Sequence, residues 1–140
     1  MVLQGVSHRY PGAEATTVTD LNLTIASGSR HALLGSSGAG KTTLLNMLSG
    51  LELPSAGQIL IDGRDVSGLP PGERNLTQVF QFPVLYESLN VAKNLQFPLK
   101  TRGYSTAEQR RRGQKTAELL GITDLLPRKP QSLSLFQKQL

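Results

Sequence analysis

The 140-residue chain has no cysteine and no tryptophan, and its rings amount to four Phe and three Tyr. Without Cys there is no disulfide framework and no thiolate zinc site, which suits a reducing compartment. With so few aromatics, the core has to be built from Leu, Val, Ile and Ala, the usual filling of α/β layers. No window approaches the roughly 18 uninterrupted apolar residues of a membrane span. The first ten residues lack the basic start, apolar run and small-residue cleavage site of a signal peptide. Any role at a membrane is therefore expected to run through a partner. The length corresponds to about one domain, or to part of a larger protein, and 38% apolar residues can bury a core of moderate size.

Charge is unevenly spread. Residues 1–92 hold 5 basic and 7 acidic side chains, whereas residues 93–140 hold 10 and 3, for a total of +5. The basic end raises the question of nucleic acid. Its densest run, Arg110-Arg111-Arg112, falls on an expected helix, where three consecutive side chains spread around the circumference instead of forming a stripe. Phe97, Tyr104 and Phe136 are too far apart in sequence to interleave with it. Nucleic acid is not expected as a partner.

Periodicity outlines the elements. Residues 1–6 form a short apolar stretch, and residues 20–25 alternate, with Leu21, Leu23 and Ile25 opposite Asn22 and Thr24; both are expected to be antiparallel edge strands. Residues 30–34 make a brief apolar strand ahead of a glycine loop. Leu44, Leu45, Leu48 and Leu51 then recur at helical spacing from Lys41, with Gly50 as the stop. Residues 58–66 contain Asp62-Gly63 between apolar flanks, the strongest short-range hairpin signal because both turn positions need positive φ. Pro70, Pro71 and Gly72 mark a loop, and residues 76–80 a second buried strand ending at Gln81. Asn90 caps a helix running towards Pro98. Ser105 to Glu108 reads as a capping box opening a helix that closes at Gly121, and Pro127 and Pro130 bracket a linker.

One motif carries chemistry. Gly35-Ser36-Ser37-Gly38-Ala39-Gly40-Lys41-Thr42 matches G-x-x-x-x-G-K-[ST] and lies between an expected strand and an expected helix, the context that pattern requires. Its glycines let successive N–H groups turn inward on phosphate oxygens, and the helix N-terminus adds positive potential. Lys41 reaches the β and γ phosphates in such a site, and Thr42 offers a hydroxyl to Mg²⁺. A glycine-rich turn of no function is the alternative. At average residue frequencies the pattern arises by chance on the order of once in two hundred chains of this size, and the flanking strand and helix make that rarer.

The order of the pieces resembles the ATP-binding subunit of an ABC transporter: an aromatic upstream (Tyr10), GSSGAGKTT, the hairpin ILIDGRDV, the loop LPPGERN, then QVFQ and a helical stretch ending in SLSLFQKQ. The fold this implies is α/β, a P-loop NTPase of ABC type. It has an N-terminal antiparallel β piece and the start of a helical subdomain, with a nucleotide-binding core over 1–81 and a helical part over 82–140. The stretch 69–81 resembles the carbohydrate-importer branch, and Phe82-Pro83-Val84-Leu85-Tyr86 resembles glycerol-type importers.

The resemblance implies that Tyr10 stacks on adenine and that Ser36, Ser37, Gly38, Ala39, Gly40, Lys41, Thr42 and Thr43 hold the phosphates of ATP and its Mg²⁺. It also implies that Gln81 contacts the metal and the attacking water. Tyr10 read alone is equally a strand-end tyrosine, and Gln81 a polar strand terminus. The apolar residues Phe82, Val84, Leu85 and Tyr86 fit either a permease-docking patch or local core.

At the family's signature this chain reads Leu133-Ser134-Leu135-Phe136-Gln137. Ser134 and Gln137 match the residues that reach a partner subunit's γ-phosphate, while Leu135 and Phe136 stand where two glycines are usual and add bulk where backbone must approach phosphate. An asymmetric dimer with one poor site is a possible consequence. The second magnesium carboxylate, the general-base Glu and the switch His of the family belong beyond the signature, past Leu140. The chain is therefore read as the first part of a longer subunit that binds ATP–Mg²⁺ without hydrolysing it alone. His8 and His31 fall in strands without a family role, and Asp62 and Asp65 are turn and strand residues, not a catalytic pair.

The implied partners are a second ATP-binding subunit, transmembrane permease subunits and, indirectly, an extracytoplasmic solute-binding protein. The implied place is the cytoplasmic face of a bacterial-type membrane, and the implied task is sugar or polyol import. A GTPase is disfavoured by the lack of Asn-Lys-x-Asp and a small-molecule kinase by the ILIDG hairpin. A non-catalytic ATP-binding remnant remains the alternative.

Overall fold

The computed structural model describes residues 1–140 and divides into two compact units, Met1–Gln78 and Val79–Leu140. In the first unit, strands β1 (Val2–His8), β2 (Val18–Thr24), β3 (Ala56–Ile61) and β4 (Arg64–Asp65) and helix α1 (Lys41–Ser49) follow in the order β1β2α1β3β4. The strands form one antiparallel sheet in the order β2-β1-β3-β4. β1 therefore lies inside the sheet and is not the edge strand expected.

A bulge explains how β1 buries Leu3, Val6 and His8 together, although strict alternation would separate Leu3 from Val6. The register shifts between Leu3 and Val6 against β2 and between Gln4 and Ser7 against β3, and Gly5 takes φ 59° within both breaks. Gly57, at φ 84°, lies against it, and a Cβ there would overlap the Gly5 carbonyl. The Asn22 side chain accepts from the Gly5 N–H at 2.8 Å, which closes the ladder across the shift. The sheet and α1 share one core of Leu3, Val6, Leu44, Met47, Ile59 and Val66. Each such side chain stabilises the fold by about 1.5–3 kcal/mol. In α1 the inward stripe is Leu44, Met47 and Leu48, whereas Leu45 is exposed, and Leu51, expected on the same stripe, lies exposed beyond the helix end; the unlooked-for member is Met47, which is fully buried.

Several turns follow sequence directly. Asp62 and Gly63 at φ 50° and 80° close the β3–β4 hairpin. Gly50 at φ 85° ends α1, its N–H donating to the Asn46 carbonyl. Asp65 accepts from the Ser67 hydroxyl at 2.6 Å and the Ser67 N–H at 2.9 Å, so that these bonds hold its carboxyl below the usual carboxylate range.

Two expected strands are not strands. Residues 30–34 and 76–80 have no ladder partner and no regular structure. Leu34 is 88% exposed and Val79 83% exposed. A strand exists only through its neighbours, and no segment pairs with these two. His31 accordingly sits outside any strand, its ring 2.8 Å from the Ser29 hydroxyl.

The second unit contains α2 (Val91–Thr101), α3 (Thr106–Leu120) and α4 (Leu135–Gln139), with short 3₁₀ turns at Thr123–Leu125 and Pro130–Ser132. Its core is Ala117, Ile122 and Leu125, with Val91, Leu95, Leu126 and Leu133 packed around them. Buried Gly113 and Ala117, one turn apart on α3, admit α2 closely; a Cβ on Gly113 would meet the Gln96 side chain at 3.5 Å. The donors of the first turn of α2, orphaned in any helix, all find acceptors. Val91 N–H donates to Arg128 O, Ala92 N–H to Leu126 O and Lys93 N–H to the Asn90 side chain.

Helix α2 runs through Pro98, past the expected stop. Pro98 is solvent-exposed, and the final turn is closed by Gly103 N–H to Lys100 O and Tyr104 N–H to Leu99 O. On α3 the box expected at Ser105 is only half formed. Ser105 accepts from the Glu108 N–H, but the Glu108 carboxylate turns to Arg111 and Arg112 at 2.7 Å each and is lowered to about 2 by those two guanidinium bonds.

Candidate functional site

The glycine loop lies where strand-free backbone enters α1. Gly38 and Gly40 adopt φ 81° and 83°, a region open to glycine, and a Cβ on Gly40 would stand 2.9 Å from the Thr17 carbonyl. Gly40 is the N-cap of α1 and supplies no side-chain cap; the first helical bond is Leu44 N–H to Gly40 O at 2.8 Å. The N–H groups of Lys41, Thr42 and Thr43 therefore belong to the positive end of the helix without a carbonyl acceptor inside it. Lys41 folds over the loop, its ammonium donating to Gly35 O at 2.9 Å and Ser36 O at 2.6 Å. Ala39 N–H closes the loop on Ser36 O at 3.3 Å. Ser36 and Ser37 are exposed along this curve, and so is Thr42.

These features fit an ATP polyphosphate with Mg²⁺. Positive φ at Gly38 and Gly40 curls the backbone just ahead of the helix N-terminus, and the Lys41 ammonium already lies against the loop carbonyls. Two hydroxyls, Thr42 and Thr43, follow on the helix, and one of them, Thr42, reaches solvent.

Tyr10 joins this group. It follows β1, in a turn fixed by Thr17 N–H to His8 O at 2.8 Å and Ala13 N–H to Tyr10 O at 3.1 Å. Its hydroxyl lies 3.0 Å from Thr43 Oγ1, and its ring meets the buried His8 ring edge-on, with centroids 4.6 Å apart and planes at 86°. His8 in turn is bonded through Nδ1 to Leu53 O at 2.9 Å. The sequence pointed to Tyr10 as a base platform and gave no sign of the bond to Thr43, which spans 33 residues.

Sequence reading missed a second supporting residue, Arg74. Only 2% exposed, it donates to Met47 O at 2.6 Å, Leu69 O at 2.7 Å and Ser67 O at 2.9 Å, with Leu48 O at 3.3 Å. It thus caps the C-terminal end of the helix whose N-terminus forms the loop, a favourable place for a cation. Burial pushes its guanidinium below the ordinary value. The only forewarning was a lone arginine in a Pro/Gly loop, a pattern that does not name its acceptors.

Gln81, Ser134 and Gln137 belong to the second unit. Gln81 is exposed on a bend, and its carbonyl accepts from the Gln139 side chain at 2.9 Å. Ser134 and Gln137 cap each other at the start of α4. Gln137 N–H donates to Ser134 Oγ at 3.2 Å and Ser134 N–H to Gln137 Oε1 at 3.0 Å. Leu135 and Phe136 beside them are 69% and 72% exposed. The 82–86 segment is tied to α2 through Asn94, whose side chain bonds the Tyr86 N–H and carbonyl. Tyr86 packs on Phe97 with ring centroids 4.4 Å apart, while Phe82 and Val84 remain exposed. A cavity of about 280 Å³ opens there, lined among others by Val84, Tyr86, Leu95, Pro98 and Leu133.

Comparison with known proteins gives the family. The family model described as ABC transporter matches residues 18–140. The chain belongs to the ABC transporter family. It is 44% identical over 137 residues to the sn-glycerol-3-phosphate import ATP-binding protein UgpC of Chromohalobacter salexigens, covering 98% of this chain and 37% of that protein. It is also 44% identical to the diacetylchitobiose uptake system ATP-binding protein MsiK of Streptomyces coelicolor, covering 93% and 34%, and 42% identical to the spermidine/putrescine import ATP-binding protein PotA of Nitrosomonas europaea, covering 98% and 37%. The chain thus spans about a third of the length of these curated relatives. Among solved structures it matches a dimeric post-hydrolysis state of the ATP-binding cassette MJ0796 bound to ADP and Pi, with a TM-score of 0.85 and 28% identity over 98% of this chain and 64% of that one. The α/β cassette fold expected from the motif order is therefore the fold of this family. No helix is long and apolar enough to cross a membrane.

Proposed function

We infer that this chain binds ATP with Mg²⁺ at residues 35–43 and forms part of the ATP-binding subunit of an importer, whose complete form hydrolyses ATP as a dimer on the cytoplasmic side of a membrane. The observation that carries this reading is the glycine loop. Lys41 spans it from Gly35 to Ser36, and α1 opens behind it on an uncapped N-terminus. In this reading the phosphates accept from the loop N–H groups and from Lys41, which leaves its two carbonyls for them. Thr42 holds the metal. Mg²⁺ held there would neutralise part of the phosphate charge. Tyr10 carries adenine, and Ser134 and Gln137 serve the site of a second subunit once their mutual cap opens. The exposed apolar segment 82–86 and the cavity beside it support docking of a permease helix.

Sugar or polyol is the proposed solute class. The stretch 69–81 and the relatives named for glycerol 3-phosphate and diacetylchitobiose support it. So does the trehalose import ATP-binding protein SugC of Mycobacterium tuberculosis, 43% identical over 139 residues and covering 99% of this chain and 35% of that protein. A solute-binding protein outside the membrane completes the proposed system.

Calorimetric titration of ATP into the chain, with and without Mg²⁺, tests the reading. Saturable binding is expected, weakened at least tenfold in Lys41→Ala. Equal affinity of the wild type and Lys41→Ala would defeat it.

A further inference from the structure

The bond between Tyr10 and Thr43 links two parts of the proposed site that act on opposite ends of a nucleotide. We propose that Tyr10 is a positioning residue for the polyphosphate, acting through the Thr43 hydroxyl independently of any contact with the base; this rests on the ATP-binding reading above.

The geometry carries it in three steps. Thr43 is the third residue of α1 and is buried, on the same first turn as the N–H groups at the positive end of the helix. The Tyr10 hydroxyl at 3.0 Å from Thr43 Oγ1 either donates or accepts. A phenol is the stronger acid of the two hydroxyls, so it is the better donor, and Thr43 keeps its own hydrogen for an acceptor beyond it. A phosphate oxygen is such an acceptor, and a chain from phenol to Thr43 to phosphate strengthens each member by polarisation.

The phenol is also held in place. The His8 ring stands edge-on to the Tyr10 ring at 4.6 Å, is itself 4% exposed and is tied to Leu53 O. The Tyr10 backbone closes a turn on Ala13. A ring serving only as a stacking platform has no need of a hydroxyl, and phenylalanine would do as well. Here the hydroxyl has a specific partner in the phosphate-binding element.

The test separates base from phosphate. Dissociation constants for Mg-ATP and for magnesium tripolyphosphate, which has no base, are measured on the wild type, Tyr10→Phe, Thr43→Val, Thr43→Ser and the two double variants. Tyr10→Phe is expected to weaken both ligands by the same factor, about 3- to 10-fold. In the Thr43→Val background the Tyr10→Phe change has no further effect, because the relay is already broken. In the Thr43→Ser background, which keeps a hydroxyl, the Tyr10→Phe loss returns. A purely structural role would not produce this pattern. Undiminished tripolyphosphate affinity in Tyr10→Phe overturns the proposal and leaves ATP binding intact, as do losses that multiply in the Tyr10→Phe/Thr43→Val variant. A wild type that binds neither ligand overturns the ATP-binding reading and this proposal together.

Discussion

Replacing Arg74 by methionine would expose how much the loop-bearing helix depends on its far end. Methionine has a similar length and no donors, so the carbonyls of Met47, Ser67 and Leu69 lose partners at 2.6, 2.9 and 2.7 Å. Charge-assisted bonds contribute about 1.5–3 kcal/mol each, and a buried acceptor left unpaired costs about 1–3 kcal/mol. Against this, the variant no longer has to bury a guanidinium, and water reaches part of the gap, so the net loss is about 3 kcal/mol. That is a large share of the roughly 7–20 kcal/mol expected for a chain of this size. With a urea m-value of about 1–3 kcal/mol/M, the midpoint falls by roughly 1–3 M. Urea titration followed by far-ultraviolet circular dichroism measures it. Arg74→Lys, with one ammonium for several divergent acceptors, should fall between wild type and Arg74→Met. A midpoint for Arg74→Met within a few tenths of a molar of the wild type would refute the assignment of Arg74 as the cap that unites α1 with the hairpin exit.

Three further outcomes are expected. Gly40→Ala forces a Cβ to within 2.9 Å of Thr17 O at φ 83°; it should lower stability by about 1–2 kcal/mol and ATP affinity at least tenfold, whereas wild-type affinity would show that the loop is not the site. Glu108 has its carboxyl lowered from 4.5 to about 2 by Arg111 and Arg112; its support of α3 is complete above pH 4.5 and lost as pH falls towards 2. Helicity of α3 read by amide NMR should decline across that window in wild type and much less in Glu108→Gln. Tyr86→Ala removes the ring that packs on Phe97; permease association should be lost with ATP affinity kept, and loss of folding instead would make the segment core.

What could be read without coordinates was the chemistry confined to neighbouring residues. The loop at residues 35–42, the Asp62-Gly63 turn, the Gly50 and Gly121 stops and the Asn90 cap depend on backbone preferences within a few positions, and each is where the sequence put it. Residues 30–34 and 76–80 look like strands by composition, yet strand formation belongs to a pair, and the pattern of one member carries no information about the other. The bulge at Gly5 decouples Leu3 from Val6 in a way that period-two alternation does not anticipate. Met47 was passed over because leucines drew the helical stripe one position aside. Arg74 and the Tyr10–Thr43 bond were invisible for a common reason: their partners lie up to 27 and 33 residues away, and for Arg74 they are carbonyls that every residue possesses. The capping of Ser134 by Gln137 was legible as Ser-x-x-Gln but was eclipsed by the signature reading of the same two residues.

The central claim is that residues 35–43 receive the phosphates of ATP, and phosphorus NMR of Mg-ATP titrated with the chain tests it most directly. The account predicts that the β and γ resonances shift and broaden saturably with wild-type protein and stay at their free positions with Lys41→Ala. Resonances unmoved by the wild type, or moved equally by Lys41→Ala, would contradict it.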